Sequence, residues 1–207
     1  MTITAADFWD QIAPKYSQQA IADPETYATK LAITQQYMEP HMAVLEFGCG
    51  TGSTALKHAP LVSKILATDV SEAMLDFGRD KAAAAGINNV EFKRSGIEDF
   101  VGENESYDLV LALNLLHLVA DREKALKNIH QLLKPGGVFI SSTACLSDRM
   151  WYIQPIIPIM QWFGKAPFVN FLRAKRMRAE IIGAGFEDTE HWTHGRANSL
   201  FMVAKKR

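Results

Sequence analysis

The chain has 207 residues, a net charge of −1 and a pI of about 6.6. That length suits one α/β domain with a full core, and the balanced charge leaves no electrostatic footprint for nucleic acid. Two cysteines, Cys49 and Cys145, exclude a disulfide framework, and no Cys/His spacing suggests a metal site.

Residues 5–40 read as helical, with Asp23 capping a helix that Pro24 opens and that runs to about Met38. Strand one is expected at 42–47 and its helix from Ser53. Strand two is expected at 64–69, after which Ser71 caps an Ala-rich helix that stops at Gly86. Val90 to Arg94 reads as strand three. Tyr107 to Leu113 is a nearly continuous apolar run, as a parallel strand buried on both faces requires. Asp121 starts a helix that Lys134-Pro135-Gly136-Gly137 ends, and strand five follows from Val138 to Thr143. An apolar, proline-interrupted stretch over 145–172 breaks the alternation. A helix from Arg173 to Ala184, stopped by Gly185, and a hairpin at about 186–193 and 199–205 close the chain. Alternating strands and helices with right-handed crossovers predict an open, mostly parallel, doubly wound sheet. The chain reads as a single domain: 1–40 a helical cap, 41–143 a ligand-binding core, 144–172 an apolar segment, and 173–207 a closing helix and hairpin.

The most informative stretch is Val44-Leu45-Glu46-Phe47-Gly48-Cys49-Gly50-Thr51-Gly52, a strand that runs into three alternating glycines. Such glycines allow positive φ and close approach of a ligand to the main chain, and the following helix offers its N–H groups to an anion. Asp69, at the tip of strand two, can accept bonds from both hydroxyls of a ribose. The expected ligand is therefore a nucleoside with an anionic tail. The dinucleotide fingerprint is G-x-G-x-x-G around a pyrophosphate. Here the spacing is G-x-G-x-G, and Glu46 would repel a pyrophosphate but welcome an α-ammonium group.

On these residues the chain resembles the class I S-adenosylmethionine-dependent methyltransferases, in particular the small-molecule group of the methyltransferase type 11 kind with a Glu-x-Gly-x-Gly-x-Gly loop. The resemblance implies a Rossmann-like sheet of seven strands with the last antiparallel, and S-adenosylmethionine as cofactor with S-adenosylhomocysteine as product. It implies cofactor contacts at Glu46, Gly48, Cys49, Gly50, Gly52 and Asp69, with Val70 and Met74 against the adenine, or Met74 an ordinary residue of the helix core. Relatives commonly carry an aspartate where this chain has Gly96, so Ile97 main chain and Glu98 become the candidates for reading the adenine edge. Asn114 and Leu115, after strand four, are expected at the methionine moiety. Tyr16, in the aromatic leader Phe8 to Tyr16, either closes over the cofactor or is an ordinary buried aromatic.

The candidate general base is His117, beyond the strand-four tip, with a structural histidine as the alternative; His191 and His194 are weaker candidates. The Asn- or Asp-Pro-Pro-aromatic motif of base-methylating enzymes is missing, as is the Pro-Cys nucleophile of cytosine enzymes. A small lipophilic acceptor is expected, with Trp151, Tyr152 and Phe163 lining its pocket and the 145–172 segment acting as a lid. Core, a subunit interface or a membrane surface remain open for that segment. Pro155, Pro158, Gly164 and Pro167 argue against a transmembrane helix there. Cytoplasmic location is expected because no signal peptide is visible, with a monomer or homodimer as the assembly. Two other functions stay open: a non-catalytic S-adenosylmethionine-binding module, and an NAD-type oxidoreductase, which Glu46 and the glycine spacing oppose.

Overall fold

The computed structural model describes residues 4–195 and 198–207, so the first three residues of the expected N-terminal cap lie outside it. Among the described residues one sheet holds seven strands in the order β3-β2-β1-β4-β5-β7-β6. They are β1 (Ala43–Phe47), β2 (Lys64–Asp69), β3 (Val90–Arg94), β4 (Tyr107–Leu113), β5 (Leu133–Thr143), β6 (Phe186–His194) and β7 (Ser199–Lys206). The first five pair in parallel, and β7 runs antiparallel to both β5 and β6. The helices are α1 (Ala5–Ser17), α2 (Pro24–Gln35), α3 (Ser53–His58), α4 (Glu72–Ala85), α5 (Arg122–Leu132), α6 (Ile157–Trp162) and α7 (Ala174–Gly183).

The apolar runs of β1, β4 and β5 do not alternate because both faces of the sheet are covered. Val44, Leu109, Leu111, Ile140 and Val203 share one buried layer with Ala55, Ala59 and Leu75. Their neighbours Leu45, Phe47, Val110, Phe139 and Met202 share the other layer with Leu126, Ile129, Met177 and Ile181. Successive strand residues thus feed opposite cores, the arrangement of a doubly wound α/β fold.

Local chemistry sets the boundaries. Thr4 and Asp7 make a reciprocal capping box on α1, Asp23 caps α2 through Thr26 N, and Ser71 caps α4 through Met74 N. Gly86 ends α4 with φ +65°. Two boundaries differ from expectation. Helix α2 stops at Gln35, short of Met38. The helix α5 ends at Leu132 and the strand opens at Leu133, with a register shift between Tyr107 and Leu109 that accommodates Pro135 and Gly136. Lys134 Nζ bonds Asp108 Oδ1 at 2.7 Å there, and Asp108 Oδ2 accepts from Ala43 N at 2.8 Å, so the turn chemistry is absorbed into the sheet's lower rim. Residues 145–172 form 3-10 turns at Leu146–Asp148 and Trp151–Ile153 followed by α6. No helix among the described residues is long and apolar enough to cross a membrane.

Candidate functional site

At the carboxyl end of β1 the chain turns through Gly48, Gly50 and Gly52 with φ of +64°, +53° and +71°, a region that glycine enters without steric cost. The three have different neighbours. A Cβ on Gly48 would strike Leu115 Cδ1 at 2.8 Å, and one on Gly52 would strike the Phe92 ring at 2.6 Å. A Cβ on Gly50 would find only Tyr16 Cε1 at 3.8 Å, so this peptide faces open space. Cys49 N donates to Thr68 O at 2.9 Å and Gly52 N donates to Cys49 O at 3.0 Å, which staples the loop to β2. Asp69 completes the staple: Oδ2 accepts from Gly50 N at 2.9 Å and Oδ1 from Ser71 N at 3.0 Å. Each oxygen retains a second lone pair for a ligand hydroxyl.

Helix α1 reaches this end of the sheet through Asp10, whose Oδ1 accepts from Ser71 Oγ at 2.5 Å and from Ala73 N at 3.1 Å. That helix carries Tyr16 to the glycine loop, its Cε1 3.8 Å from where a Gly50 Cβ would stand, with Trp9 edge to face against it at a centroid distance of 6.3 Å. Burial raises the pKa of the Tyr16 phenol, and the charge of Asp69 adds to it.

Beneath Tyr16 lies a cavity of about 650 Å3, within the usual size range of small-molecule sites. Its wall brings together Tyr16, Glu46, Gly48, Cys49, Gly50, Asp69, Val70 and Met74. Gly96, Ile97, Glu98, Asn114 and Leu115 complete that side. Gly52 is not on the wall; its close neighbours are Phe92 and the Gly78 backbone, so it packs the loop against α4. Glu98 is on the wall, with Oε1 accepting from Asp121 N at 2.6 Å.

Glu46 is the electrostatic centre. It is 2% exposed, its Oε2 has no hydrogen-bond partner among the described residues, and burial with the Asp69 charge lifts its pKa to about 8. A buried acceptor left unbonded costs about 1–3 kcal/mol, so the site is built for a partner that supplies donors. An α-ammonium group offers three.

A second polar cluster lines the cavity at the tips of β4 and β5. Lys30 Nζ donates to Ser142 Oγ at 2.9 Å, and Ser142 Oγ donates to Asn114 Oδ1 at 3.2 Å. Asn114 holds φ +57° at the strand end, with its N–H on Ser142 O at 2.7 Å. Asparagine tolerates that left-handed geometry, which is enriched at functional sites. Burial lowers the Lys30 pKa to about 8. His194 also lines the cavity, with its pKa lowered by burial and Nε2 buried without a partner among the described residues. The sequence reading did not single out Lys30 or Ser142. No local pattern marks them, because α2, β5 and β6 meet only in the folded sheet.

The remaining expected residues stand elsewhere. His117 sits on the 3-10 turn Leu116–Leu118 and is not on the cavity wall; burial pushes its pKa down to about 4, and its Nδ1 has no partner among the described residues. Its main-chain carbonyl accepts from Asn170 N at 2.7 Å, tying this turn to the apolar segment. Trp151, Tyr152 and Phe163 are 68%, 57% and 63% exposed and do not line the cavity. Short turns interrupted by prolines leave these rings in solvent, and the part of the segment on the wall is Pro167 and Phe168.

Comparisons with known proteins agree with this geometry. Residues 44–137 match a methyltransferase domain family. Over 102 residues the chain is 32% identical to a ubiquinone/menaquinone biosynthesis C-methyltransferase UbiE of Vibrio vulnificus, a stretch covering 47% of this chain and 39% of that one. The chain thus spans well under two thirds of that relative's length. Among solved structures, a SAM-dependent methyltransferase from Thermotoga maritima superposes with a TM-score of 0.73 at 18% identity, covering 98% of this chain and 99% of the other. The [4+2]-cyclase SpnF superposes with a TM-score of 0.77 at 14% identity, covering 100% and 96%; at such identities both likenesses concern the fold alone. The matched methyltransferase domain lies across the glycine loop, Glu46 and Asp69, and over that stretch the chain is similar to S-adenosylmethionine-dependent methyltransferases.

Proposed function

We propose that this protein transfers a methyl group from S-adenosylmethionine to a small, lipophilic organic acceptor with one polar head. The observation that carries the reading is Glu46, a buried carboxyl whose Oε2 has no partner among the described residues, beside an open glycine peptide and a ribose-competent Asp69. These residues fit the cofactor: Glu46 toward its ammonium, Asp69 toward its ribose, and Val70, Met74 and Ile97 toward its adenine. When bound, the cofactor supplies an electrophilic methyl on a sulfonium.

The protein's part is alignment and exclusion of water. Positioning two reactants can lower a barrier by up to roughly 7–11 kcal/mol. The acceptor's apolar body would lie against Leu118, Val119 and Phe168, and its polar head would meet Lys30, Ser142 and Asn114. An acceptor that must lose a proton needs a base within reach; Lys30 and His194 line the cavity and His117 does not, so tests of a base begin with the first two.

Thermal shift with S-adenosylmethionine, S-adenosylhomocysteine and NAD tests the reading. A ligand at 100 times its dissociation constant adds about 2.7 kcal/mol, or roughly 5–10 °C for a domain of this size. Stabilisation by NAD alone would overturn the proposal. Cofactor binding without S-adenosylhomocysteine formation across a panel of lipophilic phenols, amines and acids would favour a non-catalytic binding module.

A further inference from the structure

The 146–168 segment exposes large apolar side chains in a density found nowhere else on the described surface. Trp151, Tyr152, Ile156, Ile159, Trp162 and Phe163 are all exposed within thirteen residues, Trp162 to 84%. A contiguous exposed apolar patch of this kind marks an interaction surface.

Charge identifies the partner. Residues 149–179 carry six basic side chains and no acidic one, in a chain whose net charge is −1. Arg176 bonds Glu180 and Arg178 bonds Asp188. Arg149, Lys165, Arg173 and Lys175 are exposed and form no ion pair among the described residues. Tryptophan and tyrosine settle at the level of lipid headgroups, and apolar anchoring combined with basic residues is the signature of attachment to an anionic bilayer surface. A second copy of this chain fits poorly, because a two-fold contact would set the same unpaired cations against each other.

We infer that the 146–168 segment, with its flanking basic residues, docks the protein on an anionic membrane surface. Its far end, Pro167 and Phe168, is part of the cavity wall, so docking would set the mouth of the cavity beside the bilayer. This docking does not require the function proposed above. A lipophilic acceptor would gain a short path from one to the other only if that function holds.

Co-sedimentation with phosphatidylglycerol vesicles and with phosphatidylcholine vesicles tests the inference. Binding to the anionic vesicles should be at least about tenfold tighter and should weaken as salt is raised. Lys165→Glu/Arg173→Glu should weaken it by at least about tenfold. Trp151→Ser/Trp162→Ser/Phe163→Ser should do the same and abolish a vesicle-induced blue shift of tryptophan emission. S-adenosylhomocysteine affinity, measured by calorimetry on both variants, should stay within about twofold, since these side chains lie off the cavity wall. Loss of that affinity with unchanged vesicle binding would overturn the inference. So would failure to bind either vesicle, or light scattering that shows a dimer which the triple variant dissociates. Failure of cofactor binding by the parent protein would instead count against the proposed function.

Discussion

If Glu46 receives the cofactor's ammonium as proposed, cofactor binding is a proton-linked event. With its pKa raised to about 8, the free protein at pH 7 carries this carboxyl mostly protonated, and an ammonium ligand binds the ionised form. Ionising it at pH 7 costs about 1.4 kcal/mol. Apparent affinity for S-adenosylhomocysteine should therefore rise about 50-fold from pH 6 to pH 8, with about 0.9 proton released per ligand at pH 7. Calorimetry in buffers of different ionisation enthalpy reads both quantities. Glu46→Gln should flatten the profile and weaken binding at pH 8 by roughly 10–150-fold, the value of a charge-assisted bond of about 1.5–3 kcal/mol. 5′-Methylthioadenosine has no ammonium and reports Asp69 separately, whose pKa burial also raises. The unliganded protein should respond in the opposite sense. Folding raises the Glu46 pKa from 4.5 to about 8, so its stabilising contribution is complete below 4.5 and is lost as pH rises toward 8. Glu46→Gln should then melt higher than the parent at pH 8 while binding worse. A pH-independent affinity in the parent, or the same slope in Glu46→Gln, would refute the reasoning.

Asp69→Ala should cost about 3–6 kcal/mol of nucleoside binding from two charged bonds while the fold survives; a calorimetric loss under about threefold would remove Asp69 from the site. Gly50→Val should abolish S-adenosylhomocysteine binding, because the side chain would enter the cavity at a left-handed backbone position; calorimetry checks it. Gly52→Ala should act on stability instead, costing about 1–2 kcal/mol for the backbone and roughly 1–3 for the clash with Phe92, as urea unfolding would read. Lys30→Met should leave cofactor affinity within about twofold while lowering turnover at least about tenfold for acceptors bearing an anionic or hydroxyl head, as kcat/KM against cofactor Kd would show.

What could be read from the sequence is what local physics dictates. The strands announced themselves because a strand covered on both faces must be apolar at every position, as Leu109 to Ala112 are. The glycine loop was legible because positive φ and an acid at the next strand tip leave few ligands to choose from. Gly52 shows the limit: its φ is shared with Gly50, and only the ring of Phe92, forty residues on, tells a packing glycine from one facing the cavity. Lys30 and Ser142 were invisible for the same reason, and His194 stood only as a weaker base candidate, since the three come from segments that meet in the folded chain. Composition likewise could not say which of the aromatics of 145–172 would reach the cavity, and the short turns leave Trp151 in solvent while Phe168 lines the wall.

The position of β7 governs how the molecule assembles. It lies between β5 and β6, and β6 has no other sheet neighbour among the described residues. Strands β1 to β3 can build up from successive strand-helix-strand units, whereas β4 must return to pair with β1, Leu109 on Val44. The pairing of β5 with β7, Val138 with Lys205, is a second long closure of similar length. Until β7 docks, β5 presents an open edge of apolar strand, a template for pairing with another chain. Refolding at high concentration should therefore lose material to aggregation while β7 is undocked.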